Sequence, residues 1–307
     1  MRAGRQWTVH WHAFKRYRGS LCQRFDVVID EVNTMPFFTP LWAEIPKFML
    51  VFQLAREVWW YESPFPISAI GYAMEPAYLR GYRQTPVFTI SRSTEEDLRA
   101  LGFKGPITLI PIGIDKHVPA AWTKAANPTF LYVGRLAPSK RIGHILQAVA
   151  LFRRATGTGT LWLVGSGSER YKRSLVKLAR RLGIEDSVMF LGHVSVADKY
   201  QLMAEANALL MTSVREGWGL VVTEANSCGT PAVVYDVPGL RDSVRNGVTG
   251  LVVPPRPDRL AAAMTRIITD SSLYATLSEE GRRWSSSFSY DEAARIVDDA
   301  LGQSAAA

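Results

Sequence analysis

Short apolar runs alternate with stretches of helical periodicity along most of this chain. Six runs follow Asn127: PTFLYVG, TLWLVG, SVMFLG, ANALLMTSV, PAVVYDV and TGLVVPP. Four more precede it: FDVVID, KFMLVFQ, PVFTIS and ITLIPIG. Strands separated by helices build parallel sheets that are covered on both faces. The sequence therefore predicts an α/β protein with two Rossmann-like units.

The runs divide into three predicted segments. Residues 1–115 are expected to form a first Rossmann-like domain that is truncated, because four strands and one long helical connection make a short sheet. Residues 116–285 are expected to form a complete doubly wound parallel sheet. The helical tail, 286–307, is predicted to pack back towards the first domain. Within the first domain, SRSTEEDLRALG predicts a helix with Ser93 or Thr94 as its N-cap.

Composition excludes several classes of protein. The chain has 307 residues and is 47% hydrophobic, enough for two buried cores. Cys22 and Cys228 are far apart and lack the spacing of a zinc site or a disulfide framework, which favours a reducing cytoplasm. The opening residues lack the apolar segment of a secretory signal. The most apolar stretch, FMLVFQLAREVWWY, is interrupted by Arg56 and Glu57 and is too short to span a bilayer.

The net charge of +8 is concentrated at the N-terminus. Residues 1–24 contain no acid, and their cations are interleaved with aromatic side chains: Arg2, Arg5, Lys15, Arg16, Arg18 and Arg24, with Trp7, Trp11, Phe14 and Tyr17. Such a segment suits an anionic membrane surface, at the inner face of the membrane for a cytoplasmic protein. A solvated basic edge explains it equally well. No nucleic-acid motif accompanies the charge, so nucleic acid is not expected as a partner.

The run EGWGLVVTE lies where a predicted strand gives way to a predicted helix. Glu216 falls on the turn at the carboxyl end of the strand, and Glu224 about two turns into the helix that Gly229 ends. Gly217 and Gly219 expose backbone N–H groups at the helix start, where the dipole favours a diphosphate. Carboxylates that accept sugar hydroxyls beside such a site predict a nucleotide-sugar site. A solvated helix face would explain the two acids but not the glycines, which suggest that a ligand approaches the main chain.

Other candidates follow neighbouring strands. Arg135 and Lys140 lie in the loop after PTFLYVG and are expected to hold a diphosphate, although a solvated loop would also accommodate them. Gly165-Ser166-Gly167 raises a dinucleotide oxidoreductase as an alternative, and Arg170 argues against it because it replaces the third glycine of that motif. His193 is interpreted either as part of a base pocket or as an ordinary loop histidine.

The sequence motifs that several common kinds of catalysis and metal binding require are missing from this chain. The chain has no phosphate-loop motif, no H-E-x-x-H, no G-x-S-x-G elbow, no Cys/His cluster and no Asp-x-Asp. No metal and no cofactor are therefore expected. Arg135, Lys140 and the helix dipole would stabilise a departing diphosphate instead.

Taken together, these segments resemble the retaining glycosyltransferases of family 4, which have the two-domain GT-B architecture. The resemblance extends from about Phe25 to Tyr290 and rests on VGRLAPSKRIGHIL, LVGSGSER, FLGHVSVADKY, SVREGWGLVVTEANSCGTPAVVYDVPGLRDSV and NGVTGLVVPP. It implies transfer of a sugar, with retention of anomeric configuration, from a UDP-, GDP- or ADP-sugar. The Glu216/Glu224 run and the basic aromatic N-terminus favour a glycan or a lipid-linked molecule of the cell envelope as the acceptor.

The resemblance also implies roles for individual residues. Glu216 would contact the transferred sugar, and Glu224 would hold the ribose hydroxyls. Arg135 and Lys140 would neutralise the diphosphate. The other expected donor-binding residues are Gly165, Val194 beside the base, Gly217, Trp218, Gly219 and Leu220.

Two departures from the family pattern fall in the first domain. The Gly-rich loop expected near the N-terminus is missing, and Phe52 occupies a position where relatives often have a histidine near the sugar. The sequence therefore keeps a second hypothesis open, a truncated or catalytically weak nucleotide-sugar-binding protein of the same fold.

Overall fold

The computed structural model describes residues 8–22 and 24–305. The chain divides into two compact units, Met1–Ile112 together with Tyr290–Ala307, and Gly113–Ser289. Each unit is built on one parallel sheet, which confirms the predicted α/β class. Within the described residues, none of the helices combines the length and the apolar character needed to cross a bilayer.

The first unit contains a four-stranded parallel sheet in the order β1-β2-β3-β4. The strands are β1 (Val28–Glu31), β2 (Lys47–Leu50), β3 (Val87–Thr89) and β4 (Ile107–Leu109). Strands β2, β3 and β4 lie inside apolar runs of the sequence and are shorter than those runs, whereas β1 extends one residue past its run, to Glu31. The helices of this part are α1 (Val9–Arg16), α2 (Trp59–Glu62), α3 (Ile67–Leu79) and α4 (Arg92–Ala100).

The N-cap of α4 differs from the prediction. Ser91 caps the helix, and its Oγ accepts a hydrogen bond from the Thr94 N–H at 3.3 Å. Ser93 and Thr94 already lie within the first turn, and the Thr94 hydroxyl donates to the Phe52 carbonyl oxygen at 3.1 Å. The prediction of Ser93 or Thr94 was wrong because three capping-type residues, Ser91, Ser93 and Thr94, occur within four positions, and only the backbone shows which one is extended.

A buried carboxylate organises the loop after β1. Asp30 is 1% exposed and accepts hydrogen bonds from the Thr39 hydroxyl at 3.0 Å and the Phe37 N–H at 3.1 Å. The Tyr82 hydroxyl also donates to it. Burial, followed by this hydrogen bond, raises the pKa of Tyr82. Asp30 thus satisfies donors that would otherwise be buried without partners.

The second unit contains a six-stranded sheet in the order β10-β9-β8-β5-β6-β7. Its strands are β5 (Thr129–Val133), β6 (Thr160–Val164), β7 (Val188–Gly192), β8 (Ala208–Met211), β9 (Ala232–Tyr235) and β10 (Gly250–Val253), and all their pairings are parallel. The strand order reverses between β5 and β8. Ligands of open α/β sheets bind at such a reversal, outside the carboxyl ends of the strands.

The centre of this sheet is covered on both faces. Every residue of β5, β8 and β9 is buried, which explains their continuous apolar sequence. The helices of the unit are α5 (Ile142–Thr156), α6 (Glu169–Arg181), α7 (Val196–Glu205), α8 (Leu220–Ser227), α9 (Pro257–Thr269) and α10 (Ser271–Ser285). The last helix, α11 (Tyr290–Ala305), belongs to the first unit.

The turns that follow β5, β6 and β7 pack main chain against main chain. The Gly165 N–H donates to the Gly192 carbonyl oxygen at 2.7 Å, and the Gly134 N–H donates to the Val164 carbonyl oxygen at 3.0 Å. Gly165 has a φ of +128°, and a Cβ added there would lie 1.9 Å from the Gly134 carbonyl oxygen. A side chain at position 165 would therefore force neighbouring turns apart.

We expect Gly165→Ala to lower the free energy of unfolding by more than about 3 kcal/mol, because a backbone clash adds to the strain of a positive φ. Gly183→Ala is the matched control, since Gly183 has a φ of +69° and an added Cβ would meet nothing within 4 Å. Its loss should be about 1 kcal/mol. Urea unfolding measures both variants, and equal losses would contradict the role assigned to the close approach.

Candidate functional site

All the predicted site residues lie in the second unit, in segments that follow four neighbouring strands. Arg135 and Lys140 follow β5, Gly165 follows β6, and Val194 follows β7. The segment from Glu216 to Glu224 follows β8. Because the strands are parallel, these segments all belong to the carboxyl edge of one sheet.

Hydrogen bonds join the loop after β5 to the loop after β8. Among these bonds are Val214 N–H to the Ser139 carbonyl oxygen (2.8 Å), Thr212 Oγ1 to the Lys140 carbonyl oxygen (2.8 Å), and Arg141 Nη2 to the Ser213 carbonyl oxygen (3.0 Å). Thr212 and Ser213 are 0% exposed. Buried bonds of this kind fix the two loops relative to each other, since breaking one leaves an unsatisfied polar group.

This joining brings Lys140 and Glu216 together. Lys140 Nζ lies 2.5 Å from Glu216 Oε1, and the Ser213 hydroxyl donates to the same oxygen at 2.6 Å. The side chains of Lys140 and Glu216 are only 19% and 15% exposed. Partial burial strengthens the attraction relative to a surface pair. Both contacts use Oε1 of Glu216.

Tyr132 lies beneath this pair. It is 0% exposed, and its hydroxyl donates to the Arg135 carbonyl oxygen at 2.9 Å. Burial, followed by the negative charge of Glu216, raises the pKa of Tyr132, whereas Arg135 lowers it. The phenol therefore stays protonated, and its hydroxyl holds the turn that carries the exposed Arg135 side chain.

The main chain at Glu216 is packed against a second turn. The Glu216 N–H donates to the Pro238 carbonyl oxygen at 3.1 Å. A Cβ at Gly239 would lie 1.9 Å from the Glu216 carbonyl oxygen. Gly219, which has a φ of +93°, precedes α8, and a Cβ there would approach Leu240 to 3.0 Å. Chain geometry alone therefore requires glycine at position 219, apart from any approach of a ligand.

Trp218 anchors the start of α8. Its indole N–H donates to Thr223 Oγ1 at 2.9 Å. The ring packs against Phe288 and Trp284, with centroid distances of 5.5 and 6.1 Å. Leu220, the first residue of α8, is 45% exposed. The Trp218 side chain is thus packed against other residues of the second unit.

Glu224 has a partner that the sequence did not reveal. Lys199 Nζ lies 2.8 Å from both carboxylate oxygens of Glu224. The two side chains are 21% and 16% exposed. Lys199 is on α7 and Glu224 is on α8, so their meeting depends on how the two helices are rotated against each other. The only signal in the sequence is a lysine in the first turns of the helix that follows FLGHV.

The remaining predicted residues near β7 have different surroundings. Val194 is half-buried against the core of the second unit. His193 is exposed. Ser195 caps α7, since its Oγ accepts from the Asp198 N–H at 3.1 Å. The β7 to α7 connection is therefore well defined next to the Lys199 helix.

A second cluster missed by sequence reasoning surrounds the start of α5. His144 Nδ1 lies 3.1 Å from the Tyr235 hydroxyl, and the Arg141 guanidinium lies 5.5 Å from the centre of the Tyr235 ring. Burial, followed by the charge of Arg141, lowers the pKa of His144. The imidazole is therefore neutral near pH 7, and Tyr235 lies between it and the Arg141 side chain that donates to Ser213.

Side chains that could bind a metal ion do not cluster in the part of the chain that the structure describes. Within residues 8–22 and 24–305, no three or more His, Cys, Asp or Glu side chains are placed to hold a metal ion together. Cys22 is half-buried and Cys228 is buried, and both are free thiols.

Known proteins share both the sequence and the fold of this region. D-inositol 3-phosphate glycosyltransferase of Salinispora arenicola is 34% identical over 185 residues, which are 57% of this chain and 41% of that protein. The chain spans 38% to 62% of the length of the first curated relatives that it matches.

Two solved structures show the same architecture. Sucrose-phosphate synthase of Thermosynechococcus elongatus superposes with a TM-score of 0.76 at 24% identity, covering 95% of this chain and 76% of that one. HepE of Anabaena in complex with UDP gives a TM-score of 0.77 at 21% identity, covering 97% and 84%. At these identities the likeness shows the fold alone, and it confirms the expected GT-B class.

The family match covers the site described above. Residues 117–284 fit the family described as "Glycosyl transferases group 1", and this segment is more than half of the chain. It contains Arg135, Lys140, Lys199, Glu216 and Glu224. The chain therefore belongs to the glycosyl transferases group 1 family.

Proposed function

We propose that this protein is a retaining glycosyltransferase that moves a sugar from a nucleotide diphosphate sugar to a glycan or lipid-linked acceptor in cell-envelope polysaccharide synthesis. The observation that carries the proposal is the occurrence of two partly buried lysine–glutamate pairs in the segments after β5, β7 and β8. Both pairs fall within the family match. The UDP in the HepE complex supports a nucleoside diphosphate as the leaving group.

Glu224 is proposed to hold the ribose of the donor. A carboxylate offers about four lone-pair sites, and Lys199 uses one on each oxygen. Two sites are left for the 2′ and 3′ hydroxyls. Because Lys199 contacts both oxygens, it also fixes the plane of the carboxylate.

Lys140 and Arg135 are proposed to neutralise the diphosphate. An ammonium has three N–H donors, and Lys140 uses one on Glu216. The others can reach a phosphate oxygen, while Arg135 supplies a fork of donors from the adjacent turn. The Gly217–Leu220 main chain at the start of α8 adds the positive end of a helix dipole. Gly165 and Val194 are proposed to line the donor on the β6 and β7 sides.

The chemistry then follows from stabilisation of the departing charge. The bond between the anomeric carbon and the phosphate oxygen breaks, and the acceptor oxygen bonds to the same face of that carbon. The acceptor proton passes to a phosphate oxygen, so a nucleoside diphosphate leaves. Glu216, held through Oε1 by Lys140 and Ser213, would accept hydrogen bonds from the sugar through Oε2. The proposal uses no metal and no cofactor.

The cytoplasm, at the inner face of a membrane, is the proposed location. Three of the N-terminal residues that suggested membrane contact, Arg2, Arg5 and Trp7, lie outside the described residues. Phe14 and Tyr17 both pack against Trp42, at centroid distances of 5.9 and 4.9 Å. Trp11 remains 57% exposed and lies beneath Lys15, as an interfacial anchor would.

Phe52 keeps a second function open, namely binding of a nucleotide sugar without transfer. It follows β2 and is 43% exposed, and its ring offers no proton donor or acceptor. An imidazole at this position, as the family resemblance implies for relatives, would provide both. Transfer by this chain therefore has to be measured separately from nucleotide binding.

The direct test is thermal unfolding with UDP, GDP or ADP, followed by a transfer assay with the corresponding nucleotide sugars. A nucleotide present at 100 times its Kd should add about 2.7 kcal/mol to the free energy of unfolding. The proposal fails if none of the three nucleotides stabilises the protein at millimolar concentration. Stabilisation without release of nucleoside diphosphate from any donor would establish the second function instead.

The two glutamates should separate turnover from binding. Glu216→Gln should lower kcat by about 100-fold or more, because it removes negative charge beside the reacting sugar, and should change nucleotide Kd little. Glu224→Ala should weaken nucleotide binding by about tenfold to a hundredfold, since it removes a charged acceptor of two hydroxyls. Glu185→Gln, at an exposed ion pair, is the control. Calorimetry and initial rates measure the effects, and equal small changes from both variants would contradict the roles.

Lys199 should act on the nucleotide only through the ribose hydroxyls. Lys199→Met should raise the Kd of the nucleoside diphosphate about tenfold, because Glu224 loses its charged partner and its fixed orientation. The same variant should raise the Kd of the 2′,3′-dideoxy nucleotide by no more than about twofold, since this nucleotide has no hydroxyl that could donate a hydrogen bond to Glu224. Lys104→Met, at an exposed lysine of the first unit, is the control. A tenfold loss for both nucleotides would show that Lys199 contacts the ligand elsewhere.

A further inference from the structure

Helix α6 presents a row of cations to solvent. We call the exposed residues Arg170, Arg173, Lys177, Arg180 and Arg181 the basic stripe. At 3.6 residues per turn they fall within an arc of about 100° and extend over about 17 Å of helix. The opposite face carries Leu175 and Ala179, which are 2% and 1% exposed. The helix is thus anchored by its apolar face and presents charge outward.

Most of the basic stripe is not neutralised within the protein. Arg180 donates to both oxygens of Glu185, at 2.9 and 2.8 Å. The other four cations make no hydrogen bond or ion pair with any residue in the described ranges 8–22 and 24–305. These four adjacent cations without an ion-pair partner among the described residues outnumber the single acid of the helix, Glu169, and produce a local positive potential that attracts an anionic partner.

The stability of α6 does not explain the basic stripe. Arg170 occupies the first turn of the helix, where the positive end of the dipole disfavours a cation. Arg173, Lys177 and Arg181 repeat at intervals of four, a spacing at which like charges destabilise a helix. Only Arg180 and Arg181, in the last turn, are favourably placed with respect to the dipole. The stripe is therefore maintained at some cost to the helix.

We propose that the basic stripe docks the second unit onto a membrane surface rich in anionic lipid headgroups. Arginine and lysine side chains on the outer face of a helix reach such a surface while the rest of the helix stays packed. Because the apolar face of α6 is buried in the core, the contact is electrostatic and involves no insertion of the helix. This inference concerns attachment and does not depend on the proposed transferase activity.

The features of α6 favour lipid over nucleic acid. Single strands are bound in grooves where bases stack on exposed aromatic rings. The one aromatic residue of α6, Tyr171, is half-buried against the core instead. The helix connects β6 to β7, and β7 is the last strand of the sheet, so the stripe lies at an outer edge of the sheet. An outward-facing edge suits an extended anionic surface.

The test compares two double variants of the full chain that remove the same charge. R173Q/K177Q neutralises the centre of the stripe. K116Q/R283Q removes two exposed cations elsewhere in the second unit. Cosedimentation is measured with vesicles of phosphatidylglycerol and phosphatidylcholine, and with phosphatidylcholine alone, at low and raised salt. Circular dichroism melting shows that each variant is folded.

We expect the wild-type chain to bind the anionic vesicles in a salt-sensitive manner and to leave phosphatidylcholine unbound. R173Q/K177Q should bind the anionic vesicles about thirtyfold more weakly, and K116Q/R283Q within about threefold of wild type. Equal losses from the two variants, or no loss from R173Q/K177Q, would overturn the proposal. So would a loss of binding to a double-stranded oligonucleotide in R173Q/K177Q with vesicle binding unchanged, which would make nucleic acid the partner.

Discussion

The joining of two loops at the carboxyl edge of the second sheet determines the geometry of everything around it. The chain leaves β5 and β8 next to each other, because these strands pair across the point where the strand order reverses. Bonds from Val214 and Thr212 then fix the second loop to the first. Lys140 and Glu216 meet as a consequence of this backbone arrangement. A salt bridge alone could not impose it, since two long side chains lose conformational freedom when they pair.

The two glutamates of the EGWGLVVTE run are held by different sets of contacts. Glu216 is held through one oxygen by an ammonium and a buried hydroxyl, whereas both oxygens of Glu224 contact a single ammonium. The Glu216 carboxylate thus keeps its Oε2 oxygen available for a ligand. The plane of the Glu224 carboxylate is fixed, and each of its oxygens keeps a lone pair for a ligand. Under the proposed function, the first arrangement suits a sugar whose charge changes during reaction. The second suits a ribose that is bound in the same way throughout.

Sequence patterns predicted both sheets, but only one of the two lysine–glutamate pairs. The apolar runs located every described strand, and they were most continuous for the central strands of the second sheet, which are buried on both faces. Lys140 could be placed near Glu216, because the carboxyl ends of parallel strands converge on one edge. Lys199 could not be assigned to Glu224, since the rotation of α7 against α8 is set by tertiary packing. The Asp30 network was invisible for the same reason: Tyr82 is fifty-two positions away. The roles of the site residues remain predictions.

Gly239 has a consequence for how this site can adapt. Its missing side chain lets the main chain of Glu216 lie against the neighbouring turn, which also accepts the Glu216 N–H through Pro238. The peptide groups on either side of this acid are therefore immobilised from both directions. Adjustment to ligands of different size has to come from side-chain rotamers and not from loop movement. Changes of preference in such a scaffold would arise by exchanging side chains around a fixed backbone, whereas insertions at this turn would be poorly tolerated.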